Sequence, residues 1–106
     1  MTQAQDAKTV FWHRELPPLD AEAVAEHTVE ASSCRVPGSL SHGDDRWRRC
    51  HDDLMRTAER RLNQELQRLG GSCAHVHDEV IRSRRDDAAG EAWLQGIFTY
   101  TMYKRT

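Results

Sequence analysis

The chain has 106 residues, 38% of them hydrophobic and 30% charged, with a formal net charge of -2. A chain of that length is one small domain, which buries only about two-thirds of its unfolded surface, so a partner subunit could complete a thin core. The near-balanced charge argues against a nucleic-acid binder, and no run approaches the ~18 apolar residues of a membrane span.

In chain order, residues 1–19 read as an extended N-terminal segment and residues 20–106 as a single α+β domain. Met1 to Lys8 are mostly polar and are expected to fray. The start lacks a basic stretch followed by an apolar one, so no secretory signal is expected. Phe11-Trp12 is the first apolar knot, and Pro17-Pro18 then hold the chain extended. A tryptophan so placed tacks its segment onto the body of the domain.

Asp20 to Ser33 is ambiguous. Alanine and glutamate favour a helix after an N-cap-like Asp20. Alternation favours a strand, with Ala23, Ala25, His27, Val29 and Ala31 on one face and Glu22, Glu26 and Glu30 on the other. The β-branched Thr28 and Val29 decide for a strand. Cys34 to Gly43 is a loop with a Pro37-Gly38 turn, and Ser41 with Asp44 resembles a capping box.

Asp44 to Leu69 is an amphipathic helix. Trp47, Cys50, Leu54, Ala58, Leu62, Leu66 and Leu69 recur every three or four residues, and Gly70-Gly71 ends the run. Asp44 with Arg48, Asp45 with Arg49 and Asp52 with Arg56 place acid before base at four-residue spacing, which predicts a self-neutralising solvated face.

Ser72 to Ser83 reads as a strand, with Ala74, Val76 and Val80 on one face and His75, His77, Glu79 and Ile81 on the other. Arg84 to Gly90 is a polar turn. Glu91 to Lys104 is the strongest strand, with Ala92, Leu94, Phe98, Tyr100 and Met102 on one face and Trp93, Ile97 and Tyr103 on the other. A strand apolar on both faces needs cover on both, and one helix supplies one cover. The order is β-α-β-β: one long helix on a small, mainly antiparallel sheet. Its second face is expected to meet another subunit, with Trp93 or Ile97 buried there.

Chemistry is sparse. Cys34, Cys50 and Cys73 are an odd number without C-x-x-C spacing, which fits three reduced thiols of a cytoplasmic protein. Cys50 and His51 are neighbours on the helix, diverging by about 100°, and cannot pair as nucleophile and base. His75-Val76-His77 places two imidazoles on one strand face about 6.6 Å apart, and Glu79 extends that face. These three are the candidate ligand-binding residues. Two imidazoles do not close a structural metal set, so no metal and no other cofactor is expected, and no catalytic residue is assigned.

The charged helix ending in Leu69-Gly70-Gly71, the strand CAHVHDEVIRS and the hairpin into GIFTYTMY resemble two small bacterial families. One is the YbjQ-type family, associated with heavy-metal binding, whose lead-in to the strand after the helix is matched by Leu69, Gly70, Gly71, Ala74 and Val76. The other is dodecin, a β-α-β-β chain with a long hairpin that assembles into closed oligomers. The likeness spans Glu22 to Tyr103 as pattern. Dodecin stacks its flavin on a tryptophan of the second strand; Trp93 lies in the third, so flavin binding does not carry over, nor do clustered metal ligands. The expectation is a non-enzymatic homo-oligomer with a small ligand between subunits. The alternatives are a metal-binding or metal-sensing protein using His75 and His77, or a small accessory enzyme.

Overall fold

The computed structural model describes residues 8–40 and 44–105. The residues of Met1 to Lys8 before Lys8 itself, and Ser41 of the expected capping box, lie outside them. Strands β1 (Val10–Trp12), β2 (Ala21–Ser32) and β3 (Val36–Pro37) precede helix α1 (Asp45–Leu69), and strands β4 (Cys73–Asp86) and β5 (Glu91–Arg105) follow it. The class is α+β: one helix on a mixed five-stranded sheet ordered β1-β4-β5-β2, with β3 on β5.

Helix α1 starts and stops where its local chemistry dictates. Asp44 is the N-cap, its side chain accepting from the Trp47 amide at 2.7 Å. Gly70 adopts the left-handed conformation at φ 74°, and the Gly71 amide donates to the Leu66 carbonyl at 2.8 Å. Between them Cys50, Leu54, Ala58, Leu62 and Leu66 are buried against the sheet, flanked by half-buried Trp47, Met55 and Leu69. The opposite face pairs its charges at three-residue spacing, with Asp45 on Arg48 at 3.6 Å, Asp53 on Arg56 at 4.0 Å and Glu65 on Arg68 at 2.7 Å. All three are exposed enough to contribute little to stability.

Strand β5 is the spine of the sheet. Ala92, Leu94, Gly96, Phe98, Tyr100 and Met102 are all buried on the helix side. Gly96 belongs to this layer because an added Cβ would meet the Phe98 ring at 2.6 Å. The stretch 21–32 is a strand despite its helix-forming alanines and glutamates. Pairing with β5 buries Val29 and Ala31, and that tertiary gain overrides local propensity.

Two short strands are additions to the expected order. Val10–Trp12 runs parallel to β4 at the sheet edge, and Trp12 meets Phe98 edge-on at 5.9 Å. The Phe11-Trp12 segment therefore covers an edge and part of the helix side, not the middle of the opposite face. Val36–Pro37 pairs with Ala92 and Glu91 beyond the end of β2. The β4–β5 hairpin also runs longer than expected, with Arg84 to Asp86 in strand and the turn confined to 87–90.

Two bulges alter the alternation. In β2 the register jumps between Ala23 and Ala25, so Ala25, His27, Val29 and Ala31 face the helix while Ala23 pairs with Tyr103 on the far side. In β4 the register passes from Val76–Tyr100 to Asp78–Thr99, leaving His77 as the extra residue. Beyond it the two faces of β4 are exchanged. Ile81 packs on the core and Val80 is 44% exposed, the reverse of strict alternation from Ala74.

Leu62 has no exposed surface and Arg60 lies on the solvent side. Leu62→Ala is expected to lower the unfolding free energy by about 2–5 kcal/mol, through lost transfer energy and a residual cavity. Arg60→Ala should leave it nearly unchanged. Equal losses in urea titrations of the two variants would contradict the packing face.

Candidate functional site

Three places on the molecule gather chemistry or surface. The first is the β1–β4 edge, where the candidate residues His75, His77 and Glu79 lie. His75 and His77 share the side away from the helix, with ring centroids 6.2 Å apart. Both are engaged: His75 Nε2 bonds the His13 carbonyl at 2.7 Å, and His77 Nε2 reaches Glu26 on β2 at 3.0 Å. Glu79 does not join them. It follows the bulge, pairs in register with Phe98 on the helix side, and meets His13 Nε2 at 2.7 Å. The extra residue at 77 separates an imidazole pair from the carboxylate that strict alternation places beside it. Among the described residues, no three His, Cys, Asp or Glu side chains are grouped to hold a metal ion. His13, on the loop after β1, is the member of this cluster that sequence spacing could not supply, being 66 residues from its partner Glu79.

The second is a pocket of about 410 Å³ under the N-terminal end of α1, lined by Leu40, Trp47, His51, Ile81, Ser83 and Leu94. Trp47 and His51, one helical turn apart, stack with centroids 5.0 Å apart and planes 13° from parallel. Ile81 and Ser83 reach this pocket only because the β4 bulge turned them to the helix side. Nearby, Cys34 is exposed and Cys50 buried, with the Cys50 thiol 3.8 Å from the Cys34 carbonyl. The Cys34 amide donates to Asp53 at 2.6 Å. Loss of solvation, then the Asp53 charge, pushes the Cys34 thiol above its ordinary range, so it is not an activated nucleophile. Comparison with protein-family models, with curated proteins and with solved structures finds no match.

The third is the sheet face away from the helix. It carries Trp93, Ile97, Thr99, Thr101 and Tyr103 of β5, with Val80 of β4 beside Ile97. Ile97 is 42% exposed, and among the described residues no element lies over it. Trp93 has a partial cover: the Arg35 guanidinium stands 4.0 Å over its ring and is within 3.6 Å of Glu91 and 3.8 Å of Asp86. That stack shields the indole within its own chain and leaves Ile97 and Val80 as the bare apolar centre.

Within the core, the Tyr100 hydroxyl is buried and has no hydrogen-bond partner among the described residues. Burial raises its pKa, helped by Glu65 and opposed by Arg68. Burial likewise raises Cys73 from the ordinary 9.0. In both, the folded chain holds its proton more tightly than the unfolded chain, so stability is intact below the unfolded values and falls as pH rises through them. The urea midpoint should stay level from about pH 7 to 8.5 and decline above about pH 9. Cys73→Ala combined with Tyr100→Phe should flatten that decline. A midpoint that rises above pH 9 would contradict the burial of both groups.

Proposed function

We propose that the chain is a non-enzymatic homo-oligomeric protein that assembles through the sheet face away from α1 and holds a small ligand. The observation that carries the reading is the bare apolar centre of that face, where Ile97 and Val80, paired across β5 and β4, stay 42% and 44% exposed, with half-buried Trp93 and Tyr103 further along the same side of β5. Apolar surface grouped on one sheet face marks an interaction site more often than scattered apolar residues do. Leu16 and Leu19 are more exposed still, at 80% and 103%, but they flank Pro17-Pro18 on a loop and form no sheet surface.

The pocket beside Trp47 and His51 offers the ligand a place within one subunit, on the helix side of the sheet, and not between subunits, the place expected from the sequence. Leu40, Trp47, Ile81 and Leu94 line it together with the His51 imidazole and the Ser83 hydroxyl, and its surface is at least as polar as apolar, a lining suited to a small molecule that carries both polar and apolar groups. Among the described residues no carboxylate lines it. The resemblance to dodecin, which forms closed oligomers, agrees with assembly and contributes no ligand identity.

Sedimentation velocity at micromolar concentration tests the assembly. The wild-type chain should sediment as a multiple of one subunit, and Ile97→Glu should reduce it to the single subunit while leaving its unfolding curve intact. A strictly single-subunit wild type would contradict the proposal, as would an Ile97→Glu chain of unchanged mass.

A further inference from the structure

Charge on the uncovered face is ordered across the strands. The β2 flank presents Glu26 and Glu30, and that strand has no lysine or arginine. The β4 flank presents Arg82 and Arg84, with Asp78 and Asp86 at the two ends of that run. Glu30, Ile97 and Val80 share one row across the sheet, and Ser32, Gln95 and Arg82 share the next. Glu26 is already held by His77, whereas among the described residues Glu30 and Arg82 make no ion pair. The face therefore has Ile97 and Val80 at its centre, with Glu30 on the β2 side and, on the β4 side, Arg82 and Asp78 one row to either side of Val80.

Resting on the assembly proposed above, we infer that two copies of the chain pack face to face through this surface, about a two-fold axis running along the strands. Rotation about such an axis lays β5 on β5 and β2 on β4 of the partner subunit. Ile97 then meets its own copy near the axis, and Glu30 of each chain faces the flank of the other that carries Arg82. Glu30 comes within reach of the long Arg82 side chain of the partner, one row of about 6.8 Å away. Asp78 in the row on the other side is a short side chain, and Asp86 is held by Arg35 at 3.8 Å.

The other two arrangements set Glu30 against a like charge. A two-fold axis across the strands lays β2 on β2 and sets Glu30 against its own copy, while on β4 it sets Arg82 opposite Asp78 of the partner subunit. Pairing through the open outer edge of β2 brings Glu22, Glu26 and Glu30 of two copies alongside, with no base between them. An acidic edge of this kind is one by which sheets avoid edge pairing. The size of the face also fits a moderate dimer. Its shortest long strand has 12 residues. Three strands of that length cover roughly 600 Å² per copy in plan, near the ~800 Å² each partner gives to a standard interface.

Charge exchange tests the arrangement. Glu30→Arg and Arg82→Glu, each alone, should weaken self-association at least tenfold in sedimentation equilibrium, because each sets like charges opposite across both contacts. Mixing the two single variants should restore wild-type affinity to within about threefold, since the mixed dimer has both contacts complementary. Both positions are exposed, so folding should be unaffected, and matched unfolding curves check this. If the wild type associates but the single variants do not weaken, or the mixture is not rescued, the face-to-face arrangement is overturned while the assembly reading stands. A wild type that never associates overturns both.

Discussion

The molecule depends on one stripe of side chains meeting one side of one strand. Cys50, Leu54, Ala58, Leu62 and Leu66 of α1 lie against Leu94, Phe98, Tyr100 and Met102 of β5, and these residues supply most of the large buried side chains. A single helix has a single apolar stripe, so it can bury a single sheet face. β5 is apolar on both sides over part of its length, and the imbalance between one cover and two faces shapes what remains. The N-terminal segment goes to the edge of β4 and the helix side, β3 extends the sheet beyond β2, and Arg35 is laid over Trp93. None of these reaches Ile97.

Much of this was legible in the sequence. The helix boundaries follow from Asp44, from the three-and-four spacing of the apolar residues and from Gly70. The sides of β5 follow from simple alternation, because Ala92 to Met102 contains no bulge. The strand at 21–32 was legible only because β-branched Thr28 and Val29 broke the tie that alanine and glutamate left.

The bulges were not legible, and the reason is physical. A bulge inserts one residue into a strand, and at His77 no glycine or proline marks the insertion. Its effect is large because side chains alternate with a period of two, so one extra residue exchanges the faces of everything beyond it. Glu79 thus parts from His75 and His77, Val80 moves to the uncovered face, and Ile81 and Ser83 come to line the pocket with Trp47 and His51. The same insertion dismantles a three-residue polar site on one face and furnishes apolar surface on that face and a pocket on the other. The His13–Glu79 contact was equally hidden, since the parallel β1–β4 pairing that creates it joins residues distant in sequence.

The central claim is that the face left bare by α1 is where the chain meets its own copy. Side-chain footprinting by hydroxyl radicals, read residue by residue over a concentration series that spans association, addresses it most directly. The account predicts that Ile97 and Val80 lose reactivity as concentration rises, while Met55 on the helix and Leu19 on the N-terminal loop keep theirs. Reactivity at Ile97 and Val80 that is constant throughout the series, or protection appearing at Met55 or Leu19 instead, would contradict it.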